Sequence, residues 1–328
     1  MKPMLYLLKR LGGIAVVLLL VTMVTFVLFY VLPVDPAQMS CGKPCTPTQL
    51  AQAREVMGYN VPVWQQYLQY LGGIFVGRTF GSGGAAIVCA APCLGWSFVQ
   101  QQSVTSLVAQ TLPVTASIAV GAAVLWFVVG VAAGVTAALR RGTATDRAVM
   151  TVAIIGVSTP AYLVGLMAIL LFGFTLNIVP VGGYVPFTED PLQWAFHLVT
   201  PWCALAFISA AIYARITRGQ MIEILGEDYI RTARAKGISE ARVVGRHALR
   251  NALIPVVTMF GLDLGALLGG AVITERVFSM YGLGSLLVES VAHTDLPVVT
   301  GITIVAAAFI GVANLIVDLT YSTLDPRA

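Results

Sequence analysis

Six stretches of this chain are each long and apolar enough to cross a lipid bilayer, and no other feature limits its fold more. They are residues 11–32, 112–138, 148–172, 197–214, 252–274 and 297–317. A helix needs about 20 mainly apolar residues to span hydrocarbon, because only a backbone bonded within its own segment survives there. The fourth stretch is the weakest, shortened by Pro201 and flanked by His197. A hydrophobic content of 58% and a mean hydropathy of +0.86 exceed what a water-exposed surface tolerates, so lipid is the solvent for most of the chain. The expected fold is an all-α polytopic membrane protein with six transmembrane helices.

The first stretch follows Lys2, Lys9 and Arg10, as a secretory signal would, but its apolar run is too long and no A-x-A site follows. Ser40-Cys41 resembles a lipoprotein cleavage site, yet Gln38 stands where an aliphatic residue is wanted and Asp35-Pro36 separates Cys41 from the apolar run. The stretch is therefore expected to stay as a span.

Cations set the orientation. With the N-terminus inside, the inner segments carry 15 of the 19 lysines and arginines, eight of them between Arg215 and Arg250. The outer segments carry only Lys43, Arg54, Arg78 and Arg276. The positive-inside rule then places both termini in the cytoplasm. The net charge of +4 reflects topology and is no nucleic-acid footprint, because the cations are dispersed and lack stacking aromatics.

Three parts are expected: residues 1–32 with the first span, an extracytoplasmic element at 33–111, and a five-helix core at 112–328 that includes a cytoplasmic loop, 215–251. Within the outer element, TPTQLAQAREVMGYNVPVWQQYLQYLGGIF predicts one or two amphipathic helices stopped at Gly58 and Gly72-Gly73. Trp64, Tyr67 and Tyr70 suit a membrane interface. Four of the five cysteines lie in the same element, as Cys41-x3-Cys45 and Cys89-x3-Cys93. An even set outside the cytoplasm predicts two disulfides of open connectivity, stapling residues 81–96 to the rest; a four-thiolate zinc site fits the spacing less well. Cys203, inside a span, reads as a packed apolar thiol.

Only 10% of the chain is Asp, Glu, Lys or Arg, yet residues 227–257, EDYIRTARAKGISEARVVGRHALRNALIPVV, hold nine of them. Glu227 and Asp228 open a helical pattern, Arg234 and Lys236 close it, and Gly237 follows where a left-handed cap is easiest. A helix of about ten residues is predicted there. Ser239 reads as the next N-cap, with Arg242, Arg246 and Arg250 along one face of a second helix. A solvated loop anchored to anionic lipid would satisfy the charges alone. Ala233 and Ala235 between the charges also make the first helix slim enough for a groove in another protein.

Here the sequence resembles the permease subunits of binding-protein-dependent ABC importers, in the dipeptide and oligopeptide branch. RTARAKG at 231–237 is similar to the family's EAA-x3-G loop, with Arg231 and Thr232 where the broad pattern has Glu and Ala. VLPVDPA at 31–37, RHALRNALIPV, GGAVITERVFSMYGLGSLL at 269–287 and YSTLDPRA at the C-terminus extend the resemblance over almost the whole chain. Val34, Met280-Tyr281 and the cysteine-bearing stretch 81–96 depart from it.

The resemblance implies a type I importer permease in a bacterial inner membrane. Glu227, Asp228, Tyr229, Arg231, Thr232, Ala233, Arg234, Ala235, Lys236 and Gly237 would couple it to an ATPase. It further implies a second, similar permease, two ATPase subunits carrying ATP and magnesium, an extracytoplasmic binding protein and a peptide substrate. No cofactor is expected in this chain, whose four lysines lie in no GK[ST] triplet. His197, His247 and His293 form no HExxH, and no nucleophile motif is present, so an enzyme is not expected.

Within the spans the notable residue is Asp263. A mid-span carboxylate costs about 2.5–3.5 kcal/mol to insert, so it should face water or protein. Gly261, Gly265 and Gly269 form a small-residue packing stripe that Asp263 faces away from, which makes it a candidate for the translocation pathway or an acid neutralised by a neighbouring helix. The alternative function is an ion- or proton-coupled secondary transporter, which would need more buried ionisable groups and an internal repeat. A membrane scaffold without transport is the third reading.

Overall fold

The computed structural model describes residues 2–31, 46–57, 61–81 and 86–324. Helix α1 (Lys2–Val31) is followed by α2 (Pro47–Met57) and α3 (Val63–Val76). Helix α3 runs through Gly72-Gly73 and stops at Gly77, whose φ of 83° is open to glycine. A Cβ at Gly77 would lie 2.8 Å from the carbonyl oxygen of Cys89, so close backbone approach also requires glycine there. The other expected stop, Gly58, lies outside the described residues.

Two short antiparallel hairpins interrupt the all-helical expectation. Strand β1 (Arg78–Phe80) pairs with β2 (Ile87–Cys89), Thr79 opposite Val88, and β3 (Trp96–Ser97) pairs with β4 (Gln102–Ser103). The core helices are α4 (Val104–Leu139), α5 (Ala144–Ser158), α6 (Ala161–Ala168, continuing in wide π turns through Thr175) and α7 (Pro191–Leu225). Then come α8 (Asp228–Ala235), α9 (Glu240–Leu268), α10 (Val272–Val277), α11 (Leu283–Ala292) and α12 (Leu296–Leu324).

Among the described residues five helices are long and apolar enough to cross a membrane, and the α5–α6 pair makes a sixth if counted as one span. That pair corrects the third expected span, which is no straight rod: it bends by 102° at Thr159-Pro160. Proline has no N–H to continue the ladder and pushes its predecessor out of helical geometry. The fifth is also shorter than expected: α9 ends at Leu268, and Gly270, with φ of 139°, turns the chain into α10. Conversely the weakest stretch became a 35-residue helix, because Asp190 caps it by accepting from the Leu192 and Gln193 N–H groups, and Pro201 is accommodated inside.

The chain divides into two compact units, residues 1–113 with 282–309, and residues 114–281 with 310–328. In the first, Val104, Leu107 and Val108 pack on Leu283, Leu286, Val298 and Ile302. Buried Asp295 precedes α12, takes the Ser97 hydroxyl and the Val298 N–H, and so ties β3 to that helix start.

In the second unit α4 and α7 approach closely over glycine. A Cβ at Gly134 would lie 2.6 Å from the Ala214 carbonyl oxygen, and one at Gly130 2.9 Å from that of Ala210. Helices α5 and α7 are joined by a bidentate ion pair in which Arg218 meets buried Asp146 at 2.6 and 2.9 Å, while the Gly142 N–H donates to the same carboxylate at 2.9 Å.

Candidate functional site

Helix α8 is eight residues long, close to the predicted ten, with Glu227 at its N-cap, Asp228 in the first turn and Arg234 in the last. Those charges complement the helix dipole. Gly237 takes the expected left-handed conformation at φ of 75°. So short a helix is not stable alone. Its support is an apolar underside: Ile230 and Ala233 are buried with Ala138 of α4, Met221 of α7, and Val243, Ala248 and Ala252 of α9.

The same geometry assigns the surface. Glu227, Asp228, Tyr229, Arg231, Thr232, Arg234, Ala235, Lys236 and Gly237 are exposed, whereas Ala233 faces this chain's own core. Of the two alanines between the charges, only Ala235 therefore thins the outward face. Arg234 bonds Glu240 through two nitrogens at 2.7 and 3.1 Å, fastening the end of α8 to the start of α9. The Asp228–Arg231 pair at 3.2 Å is fully in solvent and adds little. Asn251 donates to the Tyr229 hydroxyl at 2.8 Å, a second tie to α9.

Ser239 sits at the expected N-cap, but its hydroxyl makes no capping bond; its backbone carbonyl receives the Arg242 and Val243 N–H groups instead. Between Val243 and Ala248 the helix widens into π turns, which sequence periodicity gave no sign of. Arg242, Arg246 and Arg250 are all exposed.

Asp263 is half-buried on α9 and accepts a 2.7 Å hydrogen bond from the Tyr213 hydroxyl of α7. Gly261 and Gly265 are buried on the opposite side, where a Cβ at Gly261 would lie 2.0 Å from Val317 of α12. Gly269 does not extend that stripe; it ends the helix.

Sequence reasoning missed three buried carboxylates. Glu275 of α10 is fully buried, taking the Thr115 hydroxyl at 2.7 Å and the Ala271 N–H at 3.2 Å. Asp146 and Asp295 are the others, and their partners Arg218 and Ser97 stand 72 and 198 residues away. Nothing in a local window signals such pairs.

One disulfide of the expected kind is present among the described cysteines, but it does not act as the expected staple. Cys89 and Cys93 form one disulfide with each other, closing a tight loop beside Phe80 and Trp96. That bond staples residues 81–96 to nothing beyond themselves; β1–β2 pairing and the Tyr70 hydroxyl on the Leu94 carbonyl at 3.4 Å hold the stretch instead. In a disulfide the two have no thiolate to offer zinc. Cys41 and Cys45 lie outside the described residues. Cys203 is a free thiol and is exposed, so it is not packed within the chain's own core.

Residues 130–328 match the family described as binding-protein-dependent transport system inner membrane component, and residues 4–119 match its N-terminal counterpart. The chain is 37% identical to the di/tripeptide transport system permease protein DppB of Pseudomonas aeruginosa, covering 97% of each chain. It is 36% identical to the dipeptide transport system permease protein DppB of Escherichia coli, covering 98% of each. A solved structure of the MetNI methionine ABC transporter in an inward-facing conformation shares the fold, with a TM-score of 0.52, 19% identity, and 67% of this chain and 97% of that one covered. Near-complete coverage, five or six apolar helices and this likeness in fold make the chain a multi-pass member of the binding-protein-dependent transport system inner membrane component family.

Proposed function

We propose that this chain is one of two permease subunits enclosing the translocation pathway of an ATP-driven peptide importer in a bacterial inner membrane, with both termini in the cytoplasm. The observation that carries this reading is similarity over 97–98% of the chain to permeases named for dipeptide and di/tripeptide transport. The same relatives favour it over an ion-coupled secondary transporter.

In this reading residues 227–237 form the coupling element. The exposed face of α8, with Arg231, Thr232, Arg234 and Lys236, enters a cleft of an ATPase subunit, while Ile230 and Ala233 transmit its movement into α4, α7 and α9. ATP and magnesium sit on the two partner ATPases, so chemistry and transport reside in different chains. Closure of that pair supplies the differential contact that a switch between inward and outward access requires. The outer element at 33–111 meets a substrate-binding protein, and Asp263 lines the path.

A cysteine at Thr232, which faces outward, should crosslink to the ATPase in the assembled transporter and do so differently with and without ATP. Uptake by sealed vesicles should follow ATP. Uptake driven by an ion gradient without ATP, or a Thr232 position that never reaches an ATPase in an active assembly, would overturn the reading.

A further inference from the structure

Asp263 is an acidic side chain in a membrane span and meets no counter-cation among the described residues. Its one partner among the described residues is the neutral Tyr213 hydroxyl, bonded to Oδ2. On α7, Arg218 is engaged by Asp146. A charge so placed is costly unless a cation meets it.

The surroundings are aromatic. Trp126 and Phe127 of α4 stand 6.2 and 6.4 Å from the Tyr213 ring, and they close on Phe260 of α9 at 6.1 and 4.8 Å. This packing fixes Tyr213, which is 2% exposed, and with it the orientation of the carboxylate. Along α9, Leu262 and Ala266 next to Asp263 are exposed, so the acid borders a face that its own chain leaves open.

Resting on the pathway reading of Asp263, we infer that Asp263 and Tyr213 form a way-station for a protonated amine of the passing peptide. The free lone pairs of the carboxylate accept its N–H groups in a charge-assisted bond. A divalent metal fits poorly, since it takes six or more oxygen ligands and this site offers a carboxylate and one hydroxyl.

The test uses the assembled permease–ATPase complex in nanodiscs, without nucleotide and without the binding protein, so that the binding protein's own preferences do not enter. Binding of tritiated alanyl-alanine is compared with its N-acetyl derivative and its C-terminal amide. Acetylation, which removes the ammonium, should weaken binding about tenfold or more, the scale of one charge-assisted bond. Amidation should change it little, and Asp263→Asn should bind the free and acetylated forms alike, while Asp263→Glu keeps the preference.

Equal binding of free and acetylated peptide by the wild-type complex overturns the inference, and that measurement needs no variant to fold. If in that case Asp263→Asn still slows ATP-driven uptake, the pathway role stands and only the amine assignment falls. If uptake is also unchanged, both fall.

Discussion

Replacing Ile230 by alanine should release the short charged helix from the body of the protein while leaving its outward face chemically intact. Ile230 is fully buried and, with Ala233, forms the whole apolar underside of α8. Truncation of a buried isoleucine to alanine costs about 2–5 kcal/mol, and the eight-residue helix has no stability of its own to absorb the loss. Taking about 3 kcal/mol, at about 1.4 kcal/mol per decade, local opening should become about a hundredfold more frequent. Amide hydrogen exchange at residues 231–236 of the detergent-solubilised complex reads that opening directly. Arg231→Ala, at an exposed position, should leave exchange within about 0.5 kcal/mol of wild type. Under the proposed coupling of α8 to a partner ATPase, Ile230→Ala should also lower peptide moved per ATP hydrolysed. Exchange in Ile230→Ala within threefold of wild type would refute the claim that this one side chain holds the helix.

Gly134→Ala should destabilise the α4–α7 contact by about 1–3 kcal/mol, because its Cβ meets a backbone carbonyl that cannot turn aside; thermal unfolding checks this, and an unchanged midpoint would refute it. Thr115→Val removes a donor from fully buried Glu275 and should cost about 1–3 kcal/mol in the same assay. Burial raises the Asp295 carboxyl above its ordinary 3.8, with the Ser97 hydroxyl opposing. Because the folded state then holds the proton more tightly, this contribution to stability is full below the ordinary value and is lost as pH rises through the folded one. Asp295→Asn should flatten the decline in melting temperature as pH rises above the ordinary carboxyl value of 3.8; an identical slope in both proteins would exclude Asp295 as its source.

The spans were legible because hydrocarbon demands the same long apolar run whatever the neighbours are. The charged segment was legible because Glu227, Asp228, Arg234 and Gly237 obey local rules of dipole and cap. Where local rules end, so did the reading. Pro160 lay in plain view inside the third apolar stretch, and its effect on Thr159 was the one signal that a bend stood there. Which side of α8 faces inward could not be read from RTARAKG, since alanine suits a slim exposed face and a buried one equally. The acids Asp146, Glu275 and Asp295 look like ordinary loop or helix-end residues until the fold brings Arg218, Thr115 and Ser97 to them.

The bend at Pro160 has a consequence for the lipid. Helix α5 has 15 residues, which at about 1.5 Å each reach about 22 Å, short of the roughly 30 Å of bilayer hydrocarbon. Since α6 leaves the α5 axis by 102°, it adds little length along that axis, and the non-helical stretch after it carries the chain onward. Such backbone tolerates no bare amides at that level, and Gly183 accordingly donates its N–H to the Phe278 carbonyl at 3.0 Å. The helical part of this span is thus shorter than the hydrocarbon it has to cross, and the rest of the crossing depends on irregular backbone. Thickening the surrounding bilayer with longer lipids would strain this corner first, so membrane composition becomes a lever on the molecule.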